Sequence, residues 1–179
     1  ATGALIDGRS TVRFVLDGVT GAFDPAGIAC VALHGPGSMT GWENVLVAST
    51  EPAPLLALVT TRWIEVAPAL IGEAMDEAWL EHVFARHALD HLTRLQSEAA
   101  CNAVHAVPAR IANRLRRLCL LTGPQVRTTQ SVIAQSMGVQ RTSVNAAMKA
   151  LERDGAFRLG RGRIEVLDLD RLATAACGC

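Results

Sequence analysis

No apolar run in these 179 residues approaches the ~20 that a membrane-spanning helix requires. The stretch "GIACVALHGPG" is interrupted by His34 and Pro36 and reads as a buried strand. A secretory signal peptide is also lacking. The opening "ATGALIDGRSTVRFVL" has the character of strand and turn, so the chain is expected to begin inside a domain. Cysteine is scarce and odd in number. Cys30, Cys101, Cys119, Cys177 and Cys179 offer no disulfide framework, which suits a reducing, cytoplasmic setting. There is no phosphate-binding glycine loop and no nucleophile elbow. Gly160-Arg161-Gly162 is too short and wrongly placed for a nucleotide loop, so nothing supports an enzyme. Complete metal motifs are missing too. His87 and His91 lie one helical turn apart, as do Cys101 and His105, but no third ligand follows, and neither a metal nor a cofactor is expected. The terminal Cys177 and Cys179 read as a flexible thiol tail, with metal binding or oxidation as the alternative.

Half of the residues are hydrophobic, enough for one large domain or two small ones with a real core. The formal net charge is zero, yet the two signs are segregated. Residues 1–106 hold five Lys/Arg against twelve Asp/Glu, whereas residues 107–179 hold twelve against five. The basic portion is the one fitted to a polyanion such as nucleic acid.

Residues 1–66 read mostly as strand. "STVRFVLDG", "GIACVAL", "ENVLVAS" and "PLLALVTTRWIEV" are candidates separated by Gly- and Pro-bearing turns, which favours a barrel or sandwich. Trp42, Trp63 and Trp79 read as packing residues. "PALIGEAMD" suggests a short helix opened by Pro68, and a long helix follows over 77–104. Along it Ala88, Leu92, Leu95, Ala99 and Asn102 recur at alternating steps of four and three. That is the seam of a helix pairing with its copy, or of one packed on its own domain. "PARIANRLRRLCLL" then places Ile111, Leu115, Leu118 and Leu121 on one face of a further helix, stopped by Gly123-Pro124.

The segment "TTQSVIAQSMGVQRTSVNAAMKALE" has its own logic. Thr128 or Thr129 can cap a first helix whose inner face is Val132, Ile133 and Met137. Ala134 is small where two crossing helices would touch, and Gly138 supplies a left-handed turn. Val144, Ala147, Met148 and Leu151 continue the inner face. The spacing Ala134, Gly138, Val144 is that of a DNA-binding helix-turn-helix. The second helix opens with Gln140, Arg141, Thr142, Ser143 and Asn145, all residue types that contact base edges or phosphates. "AFRLGRGRIEVLD" then reads as a hairpin wing on which Arg161 or Arg163 reaches a phosphate.

These motifs in this order resemble the Crp/Fnr family of bacterial transcription regulators. The likeness is strongest over 101–179, in "CNAVHAVPARIANRLRRL", "TTQSVIAQSMGVQRTSV", "LERDGAF", "RGRIEVLD" and "AACGC". The resemblance implies an α+β fold in three parts. These are a cyclic-nucleotide-binding-like β-roll over 1–76, shortened at its N-terminus, a dimerisation helix over 77–106, and a winged helix-turn-helix over 107–179. It implies a homodimer binding a palindromic operator in double-stranded DNA, with Thr129 and Ser143 on phosphates and Gln140, Arg141, Thr142 and Asn145 on the reading surface. Ala146 departs from the family, many members of which carry Arg there. The effector region departs further. Gly41-Trp42-Glu43 and Glu51-Pro52-Ala53 stand where cyclic-nucleotide binders carry Gly-Glu and then Arg-Ser or Arg-Thr. Without that Arg a cyclic phosphate would be buried unpaired, so cyclic AMP is not the expected effector; the domain is either degenerate or takes another, unidentified small molecule. RNA polymerase is a further candidate partner. The contrasting expectation is a ligand or redox sensor that acts through protein partners without operator binding.

Overall fold

A computed structural model of the chain describes residues 1–6, 11–24, 26, 27, 30–46 and 54–179. Its first part consists of two antiparallel sheets. One holds β1 (Leu5–Ile6), β3 (Thr20–Phe23), β4 (Cys30–His34) and β6 (Leu55–Ala57) in the order β1-β6-β3-β4. The other holds β2 (Val12–Asp17), β5 (Met39–Thr40) and β7 (Arg62–Val66) in the order β5-β2-β7. The reversal between β2 and β3 falls on Asp17-Gly18. Gly18 has φ 83°, and a Cβ there would lie 2.2 Å from the Thr60 carbonyl oxygen, so no other residue fits without moving the chain.

The one-turn α1 (Glu43–Leu46) lies between β5 and β6, and after β7 come α2 (Pro68–Ala74) and α3 (Glu77–Val104). Asp76 caps α3 by accepting a hydrogen bond from the Trp79 amide at 3.1 Å. With 28 residues, α3 is about 42 Å long. It breaks at His105-Ala106, and α4 (Val107–Thr122) restarts with Pro108 in its first turn, where the missing N–H costs nothing. The last part is β8 (Gln125–Val126), α5 (Gln130–Met137), α6 (Arg141–Arg153), β9 (Phe157–Gly160), β10 (Arg163–Val166) and α7 (Leu169–Ala175), with sheet order β8-β10-β9.

One hydrophobic core runs through both ends of the chain. Phe23, Leu33 and Leu56 of the sheets, with Val19 and Leu58 beside them, join Ile111, Leu115 and Leu118 of α4, which in turn meet Ile133, Met148, Phe157 and Ile164. α4 is thus the shared wall, as its amphipathic spacing predicts. An ionic junction lies beside it. Arg114 of α4, 6% exposed, donates to Glu98 of α3 at 3.3 Å and to Cys30 Sγ of β4 at 3.5 Å, while Arg117 pairs with the other oxygen of Glu98. The guanidinium thereby touches β-sheet, long helix and C-terminal part at once.

Several expectations need correcting. "ENVLVAS" is not a strand, because Glu43–Leu46 is one helical turn; residues 47–49 lie outside the described set, as does the Glu51-Pro52-Ala53 segment. "PLLALVTTRWIEV" is two strands in different sheets, β6 and β7, since a turn at 58–61 divides an apolar run that looks continuous. Trp79 is not a packing residue, being 51% exposed. The C-terminus is not a loose thiol tail. Asn113 Nδ2 donates to the Cys179 carbonyl at 3.2 Å, and Cys177 Sγ lies 3.3 Å from Cys101 Sγ. β8 and α7 were not anticipated at all. The first is two residues long, and the second is short and follows the wing directly.

Candidate nucleic-acid interface and adjoining cavity

The turn between α5 and α6 is built by backbone chemistry. Gly138 adopts φ 61°, ψ 33°, its amide reaches the Gln135 carbonyl, and the Val139 amide reaches Ala134 at 3.1 Å. These two bonds close the C-terminus of α5 in a Schellman arrangement, which needs the left-handed residue that glycine supplies. Thr129, not Thr128, caps α5, its hydroxyl accepting from the Val132 amide at 3.2 Å. Arg110 of α4 donates to the Met137 carbonyl at 3.2 Å, tying the turn to the helix behind it. Ala134 is buried, and Val144 and Met148 are fully buried, so the inner faces of both helices lie where the spacing puts them.

The outer face of α6 is open. Gln140, Arg141, Thr142 and Ser143 are exposed and Asn145 is partly so. Among the described residues no side chain caps α6, so its first amides are left without a side-chain acceptor beside these residues. Aligned peptide dipoles leave partial positive charge at such an end, which suits a phosphate. Arg127, Lys149, Arg153, Arg158, Arg161 and Arg163 are also exposed. Of these, Arg158 is spent on Glu165 at 3.6 Å; Arg141, Arg161 and Arg163 enter no ion pair among the described residues. The wing turns at Arg161-Gly162, with Gly160 paired to Arg163. Glu152 of α6 accepts from the Leu159 amide at 2.7 Å and so fixes the wing against the second helix. Arg141 and Arg161 therefore sit on parts that are rigidly connected.

A second feature is a cavity of about 370 Å³ between the two sheets and α3. Gly41, Trp42 and Glu43 all line it, as do Arg13, His34 and Thr40. Arg13 is nearly buried, donates to Glu65 Oε1 at 2.8 Å and lies 6.0 Å from the Trp63 ring centre. Trp42 stacks on Phe84 and meets His87 edge-on, anchoring the 41–43 turn to α3. His34 stacks on His91 of α3 with ring centres 6.1 Å apart. Burial, with His91, His87 and Arg94 nearby, pushes the His34 pKa down to about 3, so the ring is neutral near pH 7. Among the described residues His34 Nδ1 and Thr40 Oγ1 are buried without a hydrogen-bond partner. Sequence reasoning missed His34, because a histidine in an apolar strand carries no signal of what faces it.

The proposed helix seam divides. Leu92 is 50% exposed and Ala99 and Asn102 are exposed, whereas Ala88 and Leu95 are half-buried and Leu95 also lines the cavity. Leu89 and Val104 add exposed apolar surface to α3. His87 and His91 do not converge on a metal, since one meets Trp42 and the other His34. The thiols, by contrast, come together. Cys101, Cys177 and Cys179 are the group of three potential ligands found among the described residues.

Residues 109–175 match the model of the Crp-like helix-turn-helix domain. This part of the chain is similar to Crp-like helix-turn-helix domains, and the whole chain shares the fold of solved structures of Crp/Fnr-type transcriptional regulators. A CRP-family transcriptional regulator of Thermus thermophilus superposes with TM-score 0.77 at 23% identity, over 98% of this chain and 94% of that one. FixK2 from Bradyrhizobium japonicum gives 0.78 at 16% identity, over 99% and 95%. The c-di-GMP responsive global regulator CLP of Xanthomonas campestris gives 0.68 at 17% identity, over 92% and 90%. No curated protein matches the chain significantly. Among the described residues no helix is long and apolar enough to cross a membrane.

Proposed function

We propose that this protein is a cytoplasmic transcription regulator, not an enzyme, that binds a palindromic operator in double-stranded DNA as a homodimer. The observation that carries this reading is the exposed, uncapped start of α6, where Gln140, Arg141, Thr142 and Ser143 stand clear of a buried inner face. A helix used only for packing gains nothing from groove-reading side chains gathered at its open end. The parts work as a β-roll effector domain over 1–76, a pairing helix over 77–106 and a DNA-binding domain over 107–179. Thr129 and Ser143 hold phosphates, Arg141 and Asn145 read bases, and Arg161 and Arg163 on the wing hold the flanking backbone.

Pairing runs along α3, where Leu92, Ala99 and Asn102 are exposed beside Leu89. Burying such a stripe against its copy removes apolar surface from water at about 25 cal/mol per Å². The effector occupies the cavity bordered by Gly41, Trp42 and Glu43. Its polar atoms meet His34 Nδ1 and Thr40 Oγ1, which are otherwise buried and unsatisfied. Cyclic AMP is not that effector. Arg13 in the cavity is already engaged by Glu65, and a free cation to neutralise a cyclic phosphate is not supplied by Pro52-Ala53. Selection from a random duplex library tests the reading. It should enrich a two-fold symmetric site with half-sites about 34–36 Å apart. Recovery of unrelated sequences without symmetry would sink it.

A further inference from the structure

We propose that Cys101, Cys177 and Cys179 form a three-thiolate site for a soft d10 cation, Zn²⁺ or Cu⁺, which ties the C-terminal segment to the end of α3. The three Sγ atoms lie within 4.8 Å of one another. An ion bound to three sulfurs at about 2.3 Å holds them about 4 Å apart, so the group needs only small shifts to close on one. Cys101 and Cys177 are 3.3 Å apart, which is contact and not a bond, since a disulfide is about 2.05 Å long.

The arrangement joins distant parts of the sequence. Cys101 is buried on the last turn of α3, and Cys177 and Cys179 follow α7. The tail is held in place independently by Asn113, which donates to the Cys179 carbonyl. Thiolate sulfur is the ligand that selects Zn²⁺ and Cu⁺ over harder ions. Cys179 is exposed, so the ion has an entry path and Zn²⁺ has room for a water as its fourth ligand. Cu⁺ is satisfied by the three sulfurs.

Binding requires that each thiol lose its proton to solvent, with no change in oxidation state. Burial pushes the Cys101 thiol up to about 12, with the neighbouring thiols adding to the shift. The metal ion's own charge reverses that preference. The buried Arg114 guanidinium, which interacts electrostatically with Cys101, favours the thiolate as well. An occupied site would clamp the end of the DNA-binding part to α3, just before the α3–α4 break.

The test uses the full chain, reduced and kept under anaerobic conditions. Zn²⁺ and Cu⁺ are titrated separately against competing chromophoric chelators, with Cys119→Ala as the control. The expected result is one ion per chain in at least one arm, and the arm that binds identifies the ion. Cys177→Ser and the exposed Cys179→Ser should each weaken binding more than about tenfold, and Cys119→Ala should leave it unchanged. The ion should also raise the melting temperature of the parent and not of Cys179→Ser. Equal affinity in the parent and Cys179→Ser would overturn the site. So would a reduced protein that binds neither ion yet forms a Cys101–Cys177 disulfide on oxidation.

Discussion

Replacing Arg114 with Met tests how the parts are held together. The side chain of Glu98 is 10% exposed, and its carboxylate has two cationic partners, Arg114 at 6% exposed and Arg117 at 28%. Methionine keeps most of the stem's volume and removes the charge. Removing one partner of a buried ion pair costs about 3–5 kcal/mol, because the other charge stays buried. Here Arg117 remains, on the more solvated side, so the loss should fall to about 2–3 kcal/mol. The lost contact to Cys30 Sγ adds little, as sulfur is a weak acceptor. Urea unfolding at pH 7, followed by circular dichroism, reads the change in midpoint. Glu98→Gln should be costly alone, yet less costly when Arg114→Met is already present. The coupling energy from the cycle should be at least about 1 kcal/mol. A parent-like midpoint for Arg114→Met, or single losses that simply add, would refute the junction.

Other consequences are smaller and independent. Gly138→Ala must hold a left-handed backbone and should cost roughly 1–2 kcal/mol in the same unfolding assay, with a loss near zero arguing against the turn described. Thr129→Ala removes the α5 cap and should cost about 1 kcal/mol, a loss that Thr129→Ser would restore. His34 has a folded pKa of about 3, below its ordinary value of 6.5, so the unfolded chain binds the extra proton between those values. Its stabilisation is complete above about pH 6.5 and drains away as pH falls toward 3, and stability in His34→Gln should lose that part of its pH slope. Leu92→Glu with Leu95→Glu should convert a dimer to monomers in sedimentation; a parent that is already monomeric at micromolar concentration removes the pairing role of α3.

The sequence was most informative where local rules and tertiary packing agree. α3 matches its expected bounds, because Asp76 caps it, no Gly or Pro falls inside it, and Pro108 restarts the chain as a new helix just beyond its end. α5, Gly138 and α6 were legible for the same reason: each inner-face residue is also a core residue. The strands were less so. The division of 54–66 into β6 and β7 depends on which sheet each strand joins, and an apolar run does not encode that. The cavity was half legible. Gly41, Trp42 and Glu43 were picked by their place in the chain, whereas His34 and Thr40 reach it only through pairing of β4 and β5 with other strands. The thiol group joins residues 76 positions apart, beyond any local pattern.

The central claim is that the start of α6 reads base sequence. Arg141 is exposed there, two residues before Ser143, and a paired contact to guanine is worth about 1–3 kcal/mol of discrimination. The direct test is a binding series for the parent, Arg141→Ala and Arg161→Ala over single-base variants of the selected operator at two salt concentrations. Arg141→Ala should lose discrimination at one base pair in each half-site and keep it elsewhere. Arg161→Ala should weaken all sequences alike and lower the salt dependence. If Arg141→Ala instead lowers affinity equally for every variant, Arg141 is a phosphate clamp and the start of α6 does not read sequence as described.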